Sequence, residues 1–89
     1  MPYTVYILKC ADKTLYTGCT NNLEKRLREH NYGTAGAKYT RARRPVKLVF
    51  SKTFRTLAAG RKREAEIKRL TRREKFKLIG LSGSTWSSV

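Results

Sequence analysis

Arg26, His30 and Glu64 are polar residues at positions where a small core would take apolar ones, and the tyrosines of the expected hairpin, Tyr6 and Tyr16 among them, make a second cluster. Arg26 and His30 are four apart and share a helical face with Leu23 and Leu27, in the i, i+3, i+4, i+7 pattern. At 100° per residue, Glu64 lies about 20° from Leu57 and about 60° from Ile67, whereas Glu66 lies about 180° from Leu57 and should face water. Arg63 falls inside the same stripe, so angle alone does not single out Glu64; charge does, because Glu64 is the acid on that face of a Lys- and Arg-rich helix. An acid there could hold a divalent cation, which a site that cleaves a polyanion needs to offset phosphate charge. Tyr6 and Tyr16 lie on an expected hairpin. They share one side of it if the loop is odd, as Ala11–Lys13 is, which pairs Cys10 with Thr14 and Tyr6 with Gly18. A glycine opposite Tyr6 would leave open space for a backbone or phosphate to approach. A free phenol titrates near about 10, so Tyr6 could act as a base only where nearby cations favour its phenolate. Plainer readings stand beside these. Arg26, His30 and Glu64 could flank the apolar stripes, snorkel outward and pair with one another. The two tyrosines could merely pack, with their hydroxyls at the surface.

The elements that must position these residues are legible from pattern. Residues 3–10, YTVYILKC, are rich in β-branched and aromatic types and predict a strand. ADK at 11–13 reads as a turn and TLYTGC at 14–19 as the second strand of an antiparallel hairpin. PVKLVFSKTF at 45–54 reads as a third strand, with Val46, Leu48 and Phe50 alternating against Lys47, Val49 and Ser51. The first helix begins near Asn21, with Asn21 and Glu24 approximating a capping box, and Gly33 can end it in left-handed geometry. Residues 31–44, NYGTAGAKYTRARR, read as a glycine-containing basic loop. A second helix runs from about Thr56 to Leu70 on the stripe Leu57, Ile67, Leu70. T-R-R-E at 71–74 is another capping box and opens a last helix, roughly 72–79, that buries Phe76 and Ile79 before Gly80 stops it. The order is β-β-α-β-α-α, a small mixed α/β (α+β) domain over residues 1–80. Residues 81–89, LSGSTWSSV, carry no charged side chain and read as a mobile tail in which nothing fixes Trp86.

Eighty-nine residues make one domain with a thin core. Twenty-one Lys and Arg face six Asp and Glu, a formal net charge of +15. The excess is uneven: residues 41–77 hold fifteen basic and three acidic side chains, a net of +12. Such a chain repels itself and is expected to work beside a polyanion, nucleic acid being the commonest. Membrane-surface binding fits poorly, because no stretch is strongly amphipathic with aromatic anchors. No apolar run approaches a membrane span and no secretory signal is visible. Cys10 and Cys19 form no disulfide framework and have no zinc spacing, so a cytoplasmic protein with reduced thiols is expected.

The same residues carry a resemblance. TVYIL at 4–8 and YTG at 16–18, about ten residues apart on a hairpin, resemble the two half-motifs of the GIY-YIG nuclease family. R-x-x-x-H follows at Arg26 and His30, and Glu64 stands within E-x-x-I-K on the later helix. The stretch H-x-x-G…GAKYTR-x-R-P at 30–45 is similar to the small stand-alone bacterial members, an uncharacterised UPF0213-like group. The match spans residues 3 to about 80, with five short motifs in order at the family's spacing. There are departures. The half-motifs read T-V-Y and Y-T-G rather than G-I-Y and Y-I-G. Cys19 follows the second. The Asn that many relatives carry beyond the metal-binding helix has no counterpart after Asn31.

This resemblance implies a three-stranded antiparallel sheet flanked by helices, and cleavage of DNA phosphodiester bonds with one Mg²⁺ or Mn²⁺. It places the metal on Glu64, the general base on Tyr6 with Tyr16 assisting (some schemes swap these roles), Arg26 on the scissile phosphate, and His30 where relatives have His or Tyr. Candidate nucleic-acid contacts are Gly18 and Thr20 at the end of the hairpin and Lys38, Tyr39, Arg41, Arg43 and Arg44 in the basic segment. Lys68, on the helix of Glu64, is another. The 38–44 segment, KYTRARR, would track a backbone while Tyr39 stacks on a base; the plainer alternative is a solvated loop. RNA stays open as a ligand, and composition alone would also suit an RNA- or ribosome-associated protein. The alternative to an enzyme is a non-catalytic nucleic-acid binder on a degenerate nuclease scaffold. A monomer is expected. A protein partner stays open, because the chain carries no appended DNA-binding or second nuclease domain.

Overall fold

Strand β1, Tyr3–Lys9, is the middle of a three-stranded antiparallel sheet. Strand β2, Leu15–Thr20, lies on one side of it and strand β3, Lys47–Phe54, on the other. The structure is a computed structural model and describes residues 2–33 and 38–82. The hairpin has the expected register: Tyr6 pairs with Gly18 and Leu8 with Tyr16, so Tyr6 and Tyr16 share a face. Cys10 N donates to Thr14 O at 2.9 Å, closing the three-residue loop, and Lys13 takes the left-handed conformation (φ 71°) that such a loop needs.

Because side chains alternate along a strand, β1 divides the core in two. Val5 and Ile7 point one way and pack with Val49, Phe50, Ile67 and Ile79. Tyr6 and Leu8 point the other way and pack with Cys10, Val46, Tyr16, Leu23, Leu27 and Leu48. The first face is covered by helix α3, Leu57–Lys68, and helix α4, Arg72–Ser82. The second is covered by helix α1, Leu23–Tyr32. The order β-β-α-β-α-α therefore holds, with one addition. A four-residue helical turn, α2, Lys38–Arg41, stands where the sequence predicts only a loop.

Several local expectations are corrected. The alternation of Val46, Leu48 and Phe50 on one face fails at a β-bulge. Ile7 pairs with Phe50 but Leu8 with Leu48, so Val49 is an extra residue that reverses the pattern. Val46 and Leu48 stay with Leu8, while Val49 and Phe50 join the opposite core. Helix α1 is capped by Asn22, not Asn21; its Oδ1 accepts from Lys25 N at 3.1 Å. Gly33 is extended rather than left-handed (φ −88°, ψ 159°). Arg44 does what a left-handed cap would do. Its guanidinium donates to His30 O at 2.6 Å and Gly33 O at 2.5 Å, carbonyls that the helix end leaves open, and to Glu29 O at 3.1 Å, which also accepts from Gly33 N. Asn31 adds a two-way bond to the Val46 backbone, at 2.8 and 3.2 Å.

The buried line of α3 is Gly60, Glu64 and Ile67, and Leu57 is exposed. A Cβ on Gly60 would sit 3.1 Å from Cys19 Sγ and 3.4 Å from Tyr3 Cβ, so glycine allows α3 to lie close on the hairpin. The capping box at Thr71 and Glu74 forms in both directions, at 2.8 and 3.2 Å. Helix α4 then runs through Gly80 to Ser82 rather than stopping at the glycine, and a Cβ built on Gly80 would meet nothing within 4 Å. Ile79 is buried as expected, but Phe76 is exposed, with the guanidinium carbon of Arg72 4.8 Å and Lys9 Nζ 5.9 Å from its ring centre. The expected tail, from residue 83 onward and including Trp86, lies outside the described residues. Cys10 and Cys19 are free thiols. Among the described residues no helix is long and apolar enough to cross a membrane.

Candidate active site

Tyr6 reaches the site from the middle strand, where its ring lies across Gly18 of β2. A Cβ built on Gly18 would fall into the Tyr6 phenol, against its hydroxyl and Cζ. The expected open space at Gly18 is therefore corrected: glycine makes room for Tyr6 itself, and both residues are buried. Gly18→Ala must push the ring aside or strain the hairpin. It is expected to cost about 1–3 kcal/mol of stability by overpacking, read from urea-unfolding midpoints. An unchanged midpoint would show that the ring has somewhere else to go.

His30 comes from the last turn of α1 and is fully buried. Its Nε2 lies 2.9 Å from the Tyr6 hydroxyl and its Nδ1 lies 2.8 Å from the Thr40 hydroxyl. The Tyr16 ring meets the imidazole edge-on at 5.1 Å between centres, and the Tyr6 ring at 5.8 Å. Arg26, one turn earlier, pairs with Glu29 at 3.0 Å and lies in hydrogen-bonding reach of the Tyr6 hydroxyl. The outward, mutually paired arrangement of Arg26, His30 and Glu64 is thus not what forms. His30 turns inward, Arg26 pairs with Glu29, and Glu64 pairs elsewhere.

Burial sets the protonation of this cluster. It pushes the Tyr6 phenol up to about 12, outweighing the neighbouring Arg26, which acts in the opposite sense. The condition set for an ionised Tyr6, that nearby cations favour its phenolate, is not met: in the protein alone Tyr6 is a protonated phenol. Burial, reinforced by the positive charge of Arg26, pulls His30 down to about 4. Between the ordinary value near 6.5 and about 4, the unfolded chain binds a proton that the folded chain does not. Stability from this group is complete above about pH 6.5 and falls as pH is lowered through that window, by about 3 kcal/mol in full. His30 is the one histidine in the sequence. Its imidazole C–H resonances should therefore stay in their neutral positions from pH 7 to pH 5; a titration midpoint at the ordinary value would contradict this burial.

Glu64 arrives differently. It stands on α3, which packs on the Val5 and Ile7 face, opposite the face shared by Tyr6, Tyr16, Arg26 and His30. Four of the five expected residues converge on one side of the sheet, and Glu64 approaches from across it. Its charge is still felt at Tyr6 and at Cys19, raising both. The carboxylate is largely buried, with Lys68 Nζ 3.0 Å from Oε2 and Arg61 4.0 Å from Oε1. Among the described residues no three His, Cys, Asp or Glu side chains gather into a metal-binding group. One carboxylate does not make a closed zinc-type site. It does suit a hard cation such as Mg²⁺ or Mn²⁺, which keeps several waters and takes further oxygens from substrate phosphate.

The remaining candidates divide by what already holds them. Thr20 Oγ1 accepts from Asn22 N at 3.1 Å and lies 3.4 Å from Asn22 O, so it shapes the entry to α1. Arg43 pairs with Asp12 at 2.9 Å, and Arg44 is spent on the end of α1. Arg41 is exposed, and Lys68 is more than half exposed beside Glu64. Lys38 and Tyr39 open α2, and their side chains lie outside the described ones. Thr40, fully buried and bonded to His30, is the member of this cluster that sequence reasoning missed. Its position in KYTR offered no periodicity, and only the fold brings it to the imidazole.

The model of the GIY-YIG catalytic domain matches residues 2–77. A UPF0213 protein of Syntrophus aciditrophicus is 61% identical over 75 residues, covering 84% of this chain and 86% of that protein. A UPF0213 protein of Clostridium perfringens is 59% identical over 75 residues, covering 84% and 80%. The solution NMR structure of the UPF0213 protein BH0048 from Bacillus halodurans is similar, with a TM-score of 0.64 and 40% identity, covering 97% of this chain and 90% of that one. A solution structure of a protein from E. faecalis has a TM-score of 0.61 and 38% identity, covering 91% and 86%.

Proposed function

Because the chain belongs to the GIY-YIG catalytic-domain family, we propose that it is a metal-dependent endonuclease that cleaves DNA phosphodiester bonds, structure-specifically and in DNA repair or processing. The observation that carries this reading is the buried Tyr6 hydroxyl, bonded to a neutral imidazole and within reach of Arg26. A hydrolase needs a proton acceptor for water and a cation on the developing phosphorane charge. Tyr6 Oη takes the proton of the attacking water while its own proton passes to His30 Nε2. Arg26 stands beside the same oxygen and faces the phosphate. Tyr16, edge-on to His30, walls the imidazole. Glu64 would hold a divalent cation, which when bound supplies Lewis-acid polarisation of the phosphate. Lys68 then leaves Glu64 for a phosphate oxygen.

The nucleic-acid ligand follows from charge. Lys and Arg on β3, α3 and α4 are largely exposed, whereas Arg43 and Arg44 are committed within the protein. Binding is expected to be strong at low salt and blind to sequence. With roughly 4–6 phosphates contacted, the log–log salt slope should be about −3 to −5. A slope near zero, or affinity for one short sequence alone, would remove the electrostatic basis.

Labelled DNA and RNA substrates, single-stranded, duplex and branched, with Mg²⁺, Mn²⁺ or EDTA, test the activity. Cleavage of DNA with Mg²⁺ or Mn²⁺ that EDTA abolishes supports the reading. Binding without cleavage on every substrate supports the alternative, a non-catalytic nucleic-acid binder. One observation favours that alternative: the Glu64 carboxylate is already neutralised by Lys68.

A further inference from the structure

Hydrogen-bond chemistry decides where the single proton of a neutral His30 sits. Tyr6 is 1% exposed, and among the described residues its hydroxyl has two polar neighbours, Arg26 and His30 Nε2. A guanidinium only donates, so the Tyr6 oxygen accepts there. Among the described residues, Nε2 is then the one bonded acceptor for the Tyr6 O–H. Nε2 must therefore be bare, and a neutral imidazole carries its proton on the other nitrogen. Nδ1–H faces the Thr40 hydroxyl oxygen at 2.8 Å.

We propose that Thr40 is a positioning residue that holds His30 in the Nδ1–H tautomer and so keeps Nε2 open to the Tyr6 hydroxyl. The surroundings give Thr40 a fixed place from which to do this. It is fully buried, and its carbonyl accepts from Arg43 N at 2.9 Å, which closes the chain after α2. The next residue, Arg44, clamps the carbonyls of the turn that carries His30. The segment from Thr40 to Arg44 thus holds both the ring and the backbone of His30. In the other tautomer Nε2–H would point at the Tyr6 oxygen, and the Tyr6 proton would have no acceptor there. The consequence for rate rests on the nuclease reading; the tautomer does not.

The experiment uses the full chain, labelled with ¹⁵N, and long-range ¹H–¹⁵N correlation spectra of the one imidazole at pH 7 without substrate. The wild type is expected to show the Nδ1–H pattern. Thr40→Val, which keeps the shape and removes the hydroxyl, is expected to populate the Nε2–H form. Thr40→Ser is expected to restore the wild-type pattern. Thr40→Ala gives the same reading as valine should the valine variant fail to fold. An Nε2–H pattern in the wild type overturns the proposal, as does an Nδ1–H pattern that survives in a folded Thr40→Val or Thr40→Ala. Where the wild type cleaves, Thr40→Val should lower kcat by about tenfold or more with KM held, and serine should rescue it. Where no form of the chain cleaves anything, the nuclease reading fails and the spectra still decide the tautomer.

Discussion

Glu64→Gln is expected to abolish metal-dependent cleavage and to leave nucleic-acid binding unchanged or slightly tighter. Glutamine keeps the size and removes the charge. A divalent cation would lose its anionic protein ligand, and among the described residues no other cluster of metal-binding side chains could take it over. One negative charge fewer helps a polyanion approach. The fold should survive, because the ion pairs lost are with Lys68 and Arg61, both more than half exposed, and such pairs contribute about 0–1 kcal/mol each. Glu66→Gln is the internal control: Glu66 pairs with Arg63 at 3.2 Å and is nearly half exposed, so its loss should change little. The measurements are cleavage rates with and without EDTA, salt-dependent binding and unfolding midpoints. Wild-type cleavage in Glu64→Gln, still blocked by EDTA, would place the metal elsewhere. If Glu64 serves only to pair with Lys68, stability falls modestly and activity is spared.

Tyr6→Phe should reduce cleavage by about 10²–10⁴-fold, the range of a positioned proton-transfer group. The ring would keep its place over Gly18 and in the core with Leu8, Cys10 and Val46. What goes is the oxygen between Arg26 and His30. Leaving their buried polar groups without it should also cost about 1–3 kcal/mol of stability. Tyr16→Phe is the comparison. Tyr16 is half-buried and meets His30 through its ring edge, so losing its hydroxyl should matter less. Equal losses in the two variants would mean that the proton does not travel by way of Tyr6. The neutral His30 signal supplies a check without substrate, because it reports whether the pocket around Tyr6 is still closed.

Local pattern in the sequence determined the three strands, helices α1, α3 and α4 and the hairpin register, because each is a local property, but not the short turn α2. The odd loop at Ala11–Lys13 dictates that Tyr6 meets Gly18, and the spacing of Arg26 and His30 dictates that they share a face of α1, one turn apart. The capping box at Thr71 is likewise a contact between near neighbours. What local pattern could not contain is any contact made across the sheet. Whether Gly18 is an open space or a seat for Tyr6 depends on where the ring folds, and that is set by packing against α1. Val49 is the extra residue of a bulge that sends Phe50 to the core opposite Leu48, and an irregularity in pairing with β1 is not expressed in the alternation along β3 alone. The inward turn of His30 needs Thr40, ten residues on, and the closing of α1 needs Arg44. The charge states followed last. Cation-rich composition left an ionised Tyr6 open, but tertiary burial withdraws solvent from the phenol, and desolvation outweighs one neighbouring guanidinium.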